Sequence, residues 1–189
     1  MTRPATALVI ATLALPVLAL AALVGEQEIK LASARIITVP LRGYDPRDLL
    51  RGHYINAQLD WDWDREPMGK PYTPQPGGAC IVAETPKPKV RFLPDWKPGD
   101  PADADCRLMI VGHGVSKQAA QPSVPARFTP SNLSPGFGGV QIFVPEERAN
   151  ELDRVVRQRP GALTVDLAVR ADGSAAIRTL RLDGQPIGR

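Results

Sequence analysis

Imidazole is the side chain whose unperturbed pKa best suits acid–base chemistry near neutral pH, and this chain of 189 residues holds two, His53 and His113. His53 stands beside Asp45, Asp48 and Arg51, a charged corner that could hold a general acid or base if a cleft were built around it. The competing reading is structural: Asp45 and Asp48 cap backbone donors, while Arg47 and Arg51 pair across a turn. His113 lies between Gly112 and Gly114 after an apolar run, where strand ends often carry active-site groups and where ordinary turns also occur. Neither histidine has a Cys, Asp or Glu at ligand spacing, so a metal centre requires the fold to bring His53, His113 and a carboxylate together.

Nucleophilic chemistry has less support. Ser116 and Lys117 lie just after His113, but no G-x-S-x-G elbow is present and the segment reads as a surface loop. Residues 135–139, Pro-Gly-Phe-Gly-Gly, lack the helix and lysine of a phosphate loop and read as a turn. Asp60, Asp62 and Asp64 alternate with Trp61 and Trp63, which places the acids on a solvated face and both indoles in a core. Trp96 stands apart, and exposed together with other aromatics it would suit a glycan. These residues give no catalytic, cofactor or metal signature.

Location is more legible. Ala5 to Val24 carries no charged side chain, and twenty residues at helical rise cover about 30 Å, the apolar thickness of a bilayer. Arg3 and the amino terminus precede this run, and Glu26 and Glu28 come after it, so the positive-inside rule puts the rest of the chain on the outer side. The expectation is an anchor over 1–27, spanning at 5–24, with one exported domain over 28–189 in the periplasm. Cleavage after Ala19-Leu20-Ala21 is the alternative and would release the same domain to the same side. Export places Cys80 and Cys106, the only cysteines, in an oxidising compartment, where a disulfide is the favoured reading over two buried thiols. Two cysteines without partners are too few for a structural zinc site.

The elements that must position these groups are mostly strands. Twenty prolines and 16 glycines, about 19% of the chain against roughly 12% in average usage, favour short strands and loops. Extended stretches are expected from Glu28 to Leu41, ended by Pro40 and Gly43, and one alternating strand from Tyr54 to Trp63. Short strands are expected over 79–84, 89–93, 107–113 and 139–144, with a proline-rich loop over 116–135. Pro145-Glu146-Glu147 opens an amphipathic helix with Leu152, Val155 and Val156 as its stripe. Residues 163–170 and 175–182 alternate about Asp172-Gly173, a hairpin. The class is α+β, strand-dominated: an amino-terminal transmembrane helix, then one proline-rich, mainly antiparallel β domain with one amphipathic helix. The scattered Lys and Arg form no basic block, which argues against nucleic acid despite a net charge of +3.

The run Asp45-Pro46-Arg47-Asp48-Leu49-Leu50-Arg51-Gly52-His53-Tyr54, with Val39-Pro40 before it and Phe143-Val144-Pro145-Glu146 and the closing hairpin after it, resembles the GDYXXLXY family of bacterial membrane-anchored proteins. The name-giving motif departs from the family at His53, Ala57 and Leu59, where the family has Asp, Leu and Tyr; Gly52 and Tyr54 match. If the family's Asp has a chemical task, this member has lost or altered it. The resemblance implies a retained anchor in the inner membrane and an exported domain of unknown role. The reading is therefore a non-enzymatic module that meets another integral membrane protein or an envelope component. An envelope hydrolase or metal enzyme using His53 or His113, and a glycan-binding module, are the alternatives.

Overall fold

The computed structural model describes residues 3–43, 54–65, 74–84, 87–115, 127–133, 139–144 and 146–187. The chain divides into two compact units, residues 1–34 and 35–189. The first is one helix, α1 (Arg3–Ala32), interrupted in composition only by Pro16. It continues well past the apolar run, and the extended stretch expected from Glu28 begins only at Arg35. Two local interactions accompany the last turns of the helix, where Ile29 and Leu31 lie despite their alternate spacing. Lys30 pairs with Glu26 one turn back at 2.6 Å, and the Ser33 hydroxyl donates to the Lys30 carbonyl at 3.2 Å.

The second unit is strand-dominated, as its alternating apolar residues require. Its strands are β1 (Arg35–Gly43), β2 (Tyr54–Leu59), β3 (Asp62–Arg65), β4 (Gln75–Ala83), β5 (Lys89–Pro94), β6 (Leu108–Val115), β7 (Arg127–Pro130), β8 (Val140–Phe143), β9 (Leu163–Val169), β10 (Ala175–Leu182) and β11 (Gln185–Pro186). One further helix, α2 (Glu146–Gln158), precedes β9. The first sheet has the order β11-β10-β9-β1-β2-β8 and the second β3-β5-β4-β6-β7. Pairing is antiparallel except between β3 and β5. Ile37, Val39, Leu41, Val165 and Leu167 of the first sheet share one core with Ile81, Val90, Phe92, Ile110 and Phe128 of the second. Leu152 and Val156 of α2 are buried in the same core, whereas Val155 is only half-buried.

Pro40 does not stop β1 as expected. The pairing with β9 ends at Pro40–Thr164 and that with β2 begins at Leu41–Leu59, so the proline sits where the strand changes neighbour. Its missing N–H is not required there. The alternation from Tyr54 to Trp63 also divides, because the chain leaves the first sheet after Leu59 and joins the second at Asp62. Trp61 fills the crossing: it is buried, its Nε1 donates to the Phe128 carbonyl at 2.9 Å, and its ring meets Phe128 edge-on at 6.2 Å. Strand β7 lies inside the expected loop over 116–135. Pro130 masks it in the sequence and is tolerated at the end of a sheet-edge strand.

The two sheets are stitched along one side by the β9–β10 turn. Val111 N–H donates to the Gly173 carbonyl at 2.9 Å, and the Asn132 side chain bonds both backbone groups of Ala175. Gly173 has φ 79°, and a Cβ there would stand 2.8 Å from Val111 Cγ2, so this turn needs glycine for conformation and for contact.

Candidate functional site

On β5, Val90 and Phe92 point into the core and Arg91 to the other face, where it gathers acids from two further segments. Its Nη2 lies 2.6 Å from Asp64 on β3 and 3.0 Å from Asp105, and its Nη1 lies 2.8 Å from Asp103. Lys89 adds a second cation 3.3 Å from Asp64. The Arg91 guanidinium, then Lys89, hold the Asp64 carboxyl below the usual carboxylate range, and the three carboxylates push Arg91 further up. Asp60 likewise pairs with Lys87 at 2.8 Å, so two of the three alternating acids expected on a solvated face are engaged by cations.

Next to this cluster Cys80 of β4 and Cys106 stand at disulfide distance, with Cα atoms 5.4 Å apart. The link and Arg91 together fasten the segment between β5 and β6 across the outer face of the second sheet. Trp96, from the same segment, covers Gly78: a Cβ on that glycine would lie 2.7 Å from the indole. Trp96 is thus half-buried in packing and not part of an exposed aromatic surface. The sequence signal for the cluster is Asp103, Asp105 and Cys106 spaced to reach one place, but its focus, Arg91, has no local partner in sequence.

A depressed carboxyl makes a directional prediction for Asp64. Its native form binds fewer protons than the unfolded chain, so its contribution is complete above the ordinary value of about 3.9 and is lost as pH falls through the lower native value. In urea titrations across pH, Asp64→Asn is expected to be less stable than the parent by a constant amount above about pH 5, with the gap closing in acid. A gap that widened in acid would contradict the pairing.

His113 sits within β6, opposite Thr129 of β7 and Pro76 of β4, and not at a strand end or turn. Its ring is exposed, and the Ser131 hydroxyl stands 3.5 Å from Nδ1. Its flanking glycines have a packing role: a Cβ at Gly114 would come within 2.6 Å of the Phe92 ring, and one at Gly112 would clash with the Phe128 ring and the Thr129 carbonyl. The two rings, 6.0 Å apart, lie on a glycine floor made by β4 and β6. His53 lies outside the described residues, as do Ser116, Lys117 and 135–138. Among the described residues the donors that could share a cation are Cys80, Cys106 and Asp105. In the oxidised chain both sulfurs are committed to each other and Asp105 to Arg91.

The remaining sequence-selected stretch, Asp45, Pro46, Arg47, Asp48, Leu49, Leu50, Arg51 and Gly52, also lies outside the described residues, but the strands that bracket it do not. It connects Gly43 of β1 to Tyr54 of β2, neighbours in the first sheet. Tyr54 is paired in turn with Phe143 of β8, and α2 starts at Glu146. Tyr54, which ends that run, and Phe143, which opens the stretch before α2, are thus partners across β2 and β8 although distant in sequence. The family model described as GDYXXLXY protein matches residues 16–180. The chain belongs to the GDYXXLXY family. The match covers more than four fifths of the chain, from within α1 to within β10. No curated protein and no solved structure registers as a match to this GDYXXLXY protein. Its family membership assigns no biochemical role.

Proposed function

We propose that this GDYXXLXY protein is a non-catalytic binding module held on the outer face of the inner membrane by α1. The carrying observation is the distribution of exposed large apolar side chains. Among the described residues Leu13, Leu15, Val17, Leu18, Leu20, Leu23, Val24 and Ile29 are all 58–71% exposed, and all belong to α1. The helix is long and apolar enough to cross a bilayer, and its uncharged run over 5–24 covers about 30 Å. A lipid environment satisfies that surface, which water does not. The apolar run continuing through Ala22-Leu23-Val24, past the possible cut after Ala21, supports retention over cleavage.

Outside the bilayer the domain offers polar strands and loops, a surface suited to recognising an envelope component or another membrane protein. Two experiments test the proposal. After alkaline carbonate extraction the chain is expected to stay in the membrane pellet with residues 1–21 intact; a soluble product beginning at Ala22 overturns the anchor. The His53→Ala/His113→Ala double variant is expected to complement a deletion of the gene as well as the parent does. Failure to complement at normal abundance overturns the non-catalytic reading.

A further inference from the structure

We propose that Cys80, Cys106 and Asp105 form, when the disulfide is reduced, a site for one thiophilic divalent cation of the zinc type. The inference rests on the placement of the three donors and not on the compartment proposed above. With the disulfide formed, their ligand atoms lie within 4.8 Å of one another. Tetrahedral zinc, with Zn–S near 2.3 Å, needs donors about 3.7 Å apart. Bringing these groups to that spacing is a side-chain adjustment, because strand β4 fixes Cys80 while Cys106 and Asp105 are adjacent in the chain. Asp105 is exposed and Cys106 half-buried, which gives the cation a path to the fully buried Cys80.

The charges around the site suit a dication once the sulfurs are free. Asp64, Asp103 and Asp105 already outnumber Arg91 and Lys89, and two thiolates deepen the negative balance. Arg91 holds both oxygens of Asp105, at 3.2 and 3.0 Å, so it can orient that carboxylate from outside the coordination sphere. Two sulfurs and one oxygen leave the fourth position to water and select zinc, cobalt or cadmium over calcium or magnesium. The redox step balances. Two molecules of a small thiol give two electrons and become a disulfide, their protons pass to the two Sγ atoms, and the cation displaces those protons to water.

The test uses the full chain in detergent, oxidised or reduced, titrated with Co²⁺ and then with Zn²⁺. The reduced chain is expected to bind one Co²⁺ with a thiolate-to-cobalt charge-transfer band that Zn²⁺ abolishes, and the oxidised chain to show no such band. Asp105→Asn, which keeps both cysteines, is expected to weaken binding about tenfold or more. Cys106→Ser, with folding checked by circular dichroism, is expected to lose the band. No band in the folded, reduced parent overturns the proposal, and so does unchanged affinity in Asp105→Asn.

Discussion

Gly114→Val is expected to destabilise the β domain by about 3 kcal/mol, although valine is among the best strand residues and glycine among the worst. Propensity alone predicts the opposite sign. The reason is the Phe92 ring: a Cβ at position 114 would meet its Cζ, Cε2 and Cε1 at 2.6, 2.7 and 2.8 Å. The ring is wedged against Phe128, so it has no easy retreat. Because the clash is with one side chain, a double-mutant cycle isolates it. Phe92→Ala alone is expected to cost about 3–5 kcal/mol through the cavity it leaves. Gly114→Val added to Phe92→Ala should cost far less than it does alone, with a coupling of at least about 1 kcal/mol. Urea unfolding of the four proteins gives the numbers; additive losses would show that the glycine serves the backbone and not the ring.

The Cys80–Cys106 link carries the second large expected effect. It closes a separation of 26 residues, for which chain entropy gives about 3 kcal/mol. Reduction, or Cys106→Ser, is expected to lower the urea midpoint by about 1.5 M while leaving the domain folded in water. Arg91 fastens the same segment through Asp103 and Asp105, but those carboxylates are nearly half exposed. Arg91→Met is therefore expected to shift the midpoint by much less than reduction does. An equal shift from the two changes would mean that the charged cluster, and not the covalent bond, holds the segment to the sheet.

Local signals in the sequence were legible, and contacts between distant strands were not. The closing hairpin was readable because Asp172-Gly173 is a local signal, and β9 and β10 turn within a residue or two of where that signal puts them. α2 was readable from Pro145-Glu146-Glu147 and its apolar stripe. The glycines around His113 were not, since Phe92 and Phe128 that justify them sit on other strands. Trp61 shows the same limit: alternation placed it in the core, but the crossing between sheets depends on a hydrogen bond to Phe128, 67 residues away. β7 was hidden because four residues ending in proline look like loop until β6 is there to pair with them. Arg91 was hidden for a matching reason, as its three acids come from β3 and from the far end of the next segment. The family run was legible as a motif, and the pairing of its last residue, Tyr54, with Phe143 became visible only through the β2–β8 register.

The path of the chain through the two sheets has a kinetic consequence. All of the second sheet, β3 to β7, is contiguous between residues 62 and 130, whereas the first sheet joins its opening strands to its closing ones. β1 leads the domain, yet one of its two neighbours is β9, with Ile37 facing Leu167. A nascent chain thus has the second sheet's strands in hand early, while β1 waits, half-paired, for almost the last residues to be made. Loop closure over such a span is slow. Until β9 arrives, the half of β1 that carries Ile37 is an unpaired strand, open to pairing with the wrong partner.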